Sequence, residues 1–227
     1  MSDAVAQRLT VRVDASQTVS ALLLEAPRAH ACLVLAHGAG AGMEHASLSA
    51  MAMDLARLGV TTLRFQFPYM ERGSKRPDAP PLCHATVRAA VATAARLAPK
   101  LPLIAGGRSF GGRMTSQAQA LQPLPGVKGL AFLAFPLHPA GKPADERAGH
   151  LSGVAVPMLF LQGTRDALAE PGQLAPVIAR LGPAATLVTI ENADHAFHVP
   201  ARSGISDAAV RKHLAAEIAA FAARTDA

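Results

Sequence analysis

Short, continuous apolar runs separated by helix-patterned segments constrain this chain more than any other feature. ACLVLA at 31–36 ends on His37-Gly38, which suits a strand buried on both faces and followed by a tight loop. LPLIAGG and the stretches 60–65, 127–135, 156–162 and 185–190 read as further strands. Between them, 45–58, 84–98, 110–121, 172–181 and about 206–223 carry helical patterning, with Gly59 stopping the first. Strand and helix in alternation predict an α/β fold with a mostly parallel central sheet flanked by helices and joined by right-handed crossovers. Aromatic residues make up only 4% of the chain, so Ala, Val, Leu and Ile must build the core, as in buried parallel strands.

Residues 9–25 alternate like two antiparallel strands joined around Asp14 to Gln17, expected at the sheet edge. A Pro-rich, basic loop is expected over 68–81 and an irregular stretch over 136–153. Only that short stretch separates strands 127–135 and 156–162, so no substantial lid is expected and the site should be open. With 227 residues the chain is read as one domain, 1–227.

Net charge is +6, yet Arg and Lys are scattered rather than gathered on one face. The densest group, Arg72, Lys75 and Arg76, lacks interleaved aromatics that would stack bases, which argues against a nucleic-acid partner. No stretch approaches the roughly 20 apolar residues of a bilayer span, and the N-terminal segment lacks a signal core. Cys32 and Cys83 are too few for a disulfide framework. A cytoplasmic location, a small-molecule acyl substrate and no membrane partner are the expectations. The sequence carries no signal for oligomeric state.

Chemistry concentrates in Gly107-Arg108-Ser109-Phe110-Gly111, between an apolar strand and a helix. This is the GxSxG pattern of a nucleophile elbow, in which a serine sits on a strained strand-to-helix turn and the glycines permit close backbone contact. A hydroxyl nucleophile needs a base, and His195 follows the last strand; the imidazole needs a carboxylate, and Asp166 follows the strand before it. His198 competes for the base role, and Asp194 and Glu170 compete for the acid role.

From His37-Gly38-Ala39-Gly40 through Ser109 and Asp166 to His195, the chain resembles the α/β-hydrolase superfamily, and within it the lidless dienelactone-hydrolase-like group. The segments HGAGAGMEH, FPYMERG, GRSFGG, QGTRD and ADHAF are similar to a hydrolase-like family that includes a subunit of a chromatin-modifying complex. The resemblance implies an α/β-hydrolase fold, with oxyanion donors from the backbone of Phe110 and of Ala39 or Gly40. It implies hydrolysis of an ester or thioester through an acyl-enzyme, with no cofactor. The competing readings are a non-catalytic binding module and a serine peptidase or acyltransferase.

Tyr69, Met70 and Arg72 follow a strand end and are candidate substrate contacts. Arg108 is a candidate either for an anionic substrate group or for a structural ion pair, and convergence with Arg72 and Arg113 would favour acidic acyl substrates. His37 is expected to shape the loop beneath the oxyanion hole, and Glu44 and His45 to cap the next helix or line the pocket. His37, Glu44, His45 and His84 lack metal-ligand spacing, so no metal is expected.

Overall fold

The computed structural model describes residues 5–225. Eight strands form one sheet: β1 Gln7–Arg12, β2 Thr18–Leu24, β3 Ala31–Ala36, β4 Val60–Phe65, β5 Leu103–Arg108, β6 Val127–Leu133, β7 Met158–Gly163 and β8 Ala185–Ile190. Their order is β1-β2-β4-β3-β5-β6-β7-β8. β1 with β2 and β2 with β4 are antiparallel; every other pair is parallel. The N-terminal hairpin thus forms the antiparallel edge, and Asp14 closes its turn by accepting from the N–H groups of Ser16 and Gln17.

The helices are α1 Ala46–Arg57, α2 Pro68–Glu71, α3 Pro80–Leu97, α4 Phe110–Leu121, α5 Pro171–Leu181 and α6 Asp207–Arg224. Strand alternation sorts the core into two layers. Cys32, Val34, Ala105, Phe132 and Phe160 pack on the face that holds α3 and α4 residues, while Leu33, Leu35, Ile104, Leu133 and Leu161 pack with residues of α1 and α6. Both faces are covered, which explains why the central strands read as continuous apolar runs rather than as alternating ones.

Several boundaries differ from the sequence expectation: β6 ends at Leu133 rather than 135, and β7 spans Met158–Gly163 rather than 156–162. The 68–81 loop contains a one-turn helix, and the next helix starts at Pro80 rather than 84, because Pro80 and Pro81 occupy the first helical turn, where a missing N–H costs nothing. Between β6 and β7 the chain makes only a 3-10 segment, Glu146–Gly153, and no lid covers the sheet edge. No helix among the described residues is long and apolar enough to cross a membrane. Both cysteines are buried and unpaired, and burial pushes each thiol up to about 12.

One polar clamp joins the helices on the second face. Asp54 of α1 is buried and accepts from Arg57 Nη1 at 2.8 Å and from Arg211 Nε of α6 at 2.7 Å. Removing this carboxylate leaves the Arg211 donor unmatched in a partly buried setting. Asp54→Ala is expected to lower the unfolding free energy by about 3 kcal/mol, whereas truncation of the exposed Arg57 costs about 0.5 kcal/mol. Urea denaturation of the two variants checks both values.

Candidate active site

Ser109 is the single residue between β5 and α4, with φ 48° and ψ −115°, a conformation that residues with a Cβ avoid. Its neighbours force this geometry. A Cβ at Gly107 would lie 2.6 Å from the Ala36 carbonyl, and one at Gly111 2.5 Å from the His37 carbonyl, so only glycine lets α4 pack against the end of β3. The turn is held by the Ser109 N–H donating to Leu133 O at 2.8 Å and by Arg113 N–H donating to Ser109 O at 3.1 Å.

His195 Nε2 lies 2.8 Å from Ser109 Oγ, and its Nδ1 lies 2.7 Å from Asp166 Oδ2. Asp166 stands three residues past β7 and is buried; its other oxygen accepts the Leu168 N–H at 2.8 Å, and Gln162 Nε2 donates to Oδ2. A carboxyl group tied down in this way is fixed in position opposite the imidazole. The alternatives are committed elsewhere. Asp194 Oδ1 accepts from the N–H groups of Ala196 and His198 and so builds the turn carrying His195. Glu170 is bonded to His138, and the exposed His198 to Asp207.

The loop after β3 passes beside the serine. The N–H groups of Ala39, Gly40 and Phe110 meet no backbone or side-chain acceptor among the described residues, which leaves them available to a ligand. His37 sits beneath them, fully buried. Its Nε2 accepts the Phe67 N–H at 3.0 Å, so Nδ1 carries the proton and donates to Gly38 O at 2.7 Å. The bond accepted from Phe67 requires the neutral ring, and burial pushes its pKa down to about 4, outweighing the opposite pull of the bond to Gly38 O.

A cleft of about 400 Å³ opens here, lined by Ser109 and His195, by the 38–41 backbone, and by His45, Ser47, Leu48, Arg108 and Ala196. Of the residues expected to touch substrate, the structure puts Arg108 in this wall and withdraws the rest. Tyr69 is fully buried, and its hydroxyl donates to Ala39 O at 2.9 Å, so it props the loop from below. Met70 packs against the core, and Arg72 pairs with Asp78 on the exposed loop. Arg113, on the opposite side of the elbow, stacks over Phe110 at 5.8 Å. The three arginines therefore do not converge.

Arg108 makes no ion pair with a carboxylate among the described residues, contrary to the structural-pair expectation. Glu44 pairs with Arg8, while His45 caps α1 by accepting the Ser47 N–H. Ser47 was missed by the sequence reading; its only signal was its place at a helix start following the 37–42 loop. No cluster of three or more His, Cys, Asp or Glu able to hold a metal occurs among the described residues.

A serine on a strained turn at the carboxyl edge of a mostly parallel, lidless sheet defines an α/β serine-hydrolase fold. The chain belongs to the alpha/beta hydrolase domain family, whose pattern matches residues 29–223. It is similar to an alpha-beta serine hydrolase homologue from Coxiella burnetii, at 18% identity and TM-score 0.75 over 93% of this chain and 96% of that one. A dienelactone hydrolase from Anabaena variabilis matches at 19% identity and TM-score 0.75 over 94% and 96% of the two chains. A lidless serine hydrolase from Xanthomonas campestris matches at 21% identity and TM-score 0.71 over 92% and 91%. Identities this low establish shared architecture.

The neutral His37 generates a pH prediction. In the unfolded chain this imidazole takes a proton near the ordinary value of 6.5, whereas the folded protein resists until about 4, so stability is complete above pH 6.5 and lost as pH falls towards 4. From pH 7 to pH 5 this site alone should remove about 2 kcal/mol. His150, also pushed down to about 4 by burial, acts in the same direction. Urea denaturation at the two pH values, with His37→Gln flattening the difference, checks it.

Proposed function

We propose that the protein is a serine hydrolase that cleaves a carboxylic ester or thioester through an acyl-enzyme. The observation that carries this reading is the unbroken series Ser109 Oγ, His195 Nε2, His195 Nδ1, Asp166 Oδ2, with contacts of 2.8 and 2.7 Å, next to unengaged backbone N–H groups. A scaffold protein has no physical need for that series.

In the first half-reaction His195 takes the Ser109 proton as Oγ attacks the substrate carbonyl. The developing oxyanion is received by the Phe110 N–H and one from Ala39 or Gly40, where each preorganised donor supplies about 3 kcal/mol. Asp166 keeps His195 in the tautomer that presents a bare Nε2 and stabilises the imidazolium. His195 then protonates the leaving alcohol or thiol. In the second half-reaction water, deprotonated by His195, attacks the acyl-enzyme; the acyl C–Oγ bond breaks, His195 returns the proton to Ser109 Oγ, and the acid is freed. Every proton moves between groups of this chain, the substrate and water, so the chemistry calls for no cofactor.

The cleft lacks a lid, and its volume of about 400 Å³ suits a small acyl group, which favours short esters over lipids. Turnover of 4-nitrophenyl acetate and butyrate tests the reading. Ser109→Ala and His195→Ala are expected to abolish it, and Asp166→Asn to reduce kcat on the order of 10³–10⁴-fold with the fold intact by circular dichroism. Undiminished turnover by folded Ser109→Ala would contradict it.

A further inference from the structure

Arg108 is the last residue of β5, and strand alternation turns it to the same face as Ile104, towards α1 and α6. There its Nη1 donates to Ser47 Oγ at 3.4 Å and its Nη2 to the His195 carbonyl at 3.3 Å. Both contacts are long and both acceptors are neutral. A guanidinium has five N–H donors in a rigid fork, so most of this one's capacity is unspent. Asp194 and Asp166 favour its charge only from a distance; both Asp166 oxygens and Asp194 Oδ1 are bonded to other groups. A half-buried charge without a paired anion is costly unless a ligand supplies one.

A side pocket of about 180 Å³ opens on the α1/α6 side of this guanidinium and shares Ser47, Leu48, Arg108 and Ala196 with the cleft that contains Ser109. Met51, Leu133, Phe197 and Leu214 make its floor apolar. Its rim holds a second guanidinium, Arg211, whose Nε is tied to Asp54 while that same carboxylate also serves Arg57. One carboxylate is therefore divided between two arginines beside a third that has none. The remaining rim carboxylate, Asp207, is engaged by His198 and by the Val199 N–H.

We propose that this side pocket is a carboxylate subsite: the substrate is an ester whose acyl part ends in a carboxylate on a short apolar stem, received by Arg108 and Arg211. The proposal rests on the serine-hydrolase reading for its acyl chemistry, while the anion site stands on its own geometry. The bidentate fork of each arginine matches a carboxylate. Asp207 at the rim repels a dianion more than a monoanion, which favours a carboxylate over a phosphate monoester. Selectivity arises because a neutral chain of equal length would leave Arg108 desolvated and unpaired.

Binding of glutarate, a dicarboxylate mimic of the acid product, to the Ser109→Ala protein by titration calorimetry tests the subsite without requiring turnover. Saturable binding is expected, with Arg211→Gln and Arg108→Gln each raising Kd roughly tenfold. In kinetics, the wild-type protein is expected to prefer mono-4-nitrophenyl glutarate over its methyl-capped diester by at least about tenfold in kcat/KM, through KM, and Arg211→Gln should collapse that ratio. Absence of glutarate binding, or equal binding by the parent and both arginine variants, overturns the proposal, and so does an unchanged ratio in Arg211→Gln. Glutarate binding that depends on both arginines in a protein with no esterase activity would instead leave the subsite standing and retire the hydrolase reading.

Discussion

The close approach of α4 to the end of β3 is the contact on which the rest of the site depends. Register pairs Ala36 of β3 with Gly107 of β5, and the missing side chains at Gly107 and Gly111 allow the turn between them to press against the Ala36 and His37 carbonyls. Ser109 can hold its positive φ only because those contacts leave the chain no other path. The same approach sets the Phe110 N–H beside the loop carrying Ala39 and Gly40. A displacement of either element would separate the nucleophile from the donors proposed to receive the oxyanion.

Support for that arrangement comes from hydrogen-bonded buried polar groups. His37 joins the loop after β3 to the end of β4 through Phe67, and Tyr69 holds Ala39 from beneath. On the other side of the sheet, Asp54 fastens α1 to α6. These two helices also wall the side pocket next to Arg108. The elements that stabilise the molecule are therefore the ones that shape the space beside the serine, and a substitution intended for stability there will also alter the cleft.

Much of the architecture was legible in the chain because periodicity and glycine placement are local signals. ACLVLA and LPLIAGG could hardly be anything other than strands with both faces covered, and GRSFGG between strand and helix marked the elbow. Choosing among acidic residues rested on strand-end placement, which favoured Asp166 over Asp194 and Glu170. Asp194 adjoins His195 in sequence, yet its carboxylate faces the turn amides, and only the three-dimensional fold brings the more distant Asp166 to the imidazole. Tyr69 and Arg72 lie near the cleft in sequence, but a one-turn helix aims the first into the core and leaves the second to Asp78. Arg108 and Arg113 are five positions apart, and the elbow between them sends their side chains to opposite faces. Side-chain direction past a turn has no local code, so the pocket was less readable than the fold.

The central claim is that Ser109 is chemically activated by its neighbours. Reaction of the wild-type protein and the Ser109→Ala variant with a fluorophosphonate, read by intact mass and peptide mapping, tests it most directly. The prediction is one adduct, on Ser109, absent from the variant and slowed in His195→Ala. A folded wild-type protein that takes up no adduct would contradict it and point to a hydrolase-like scaffold whose serine is inert.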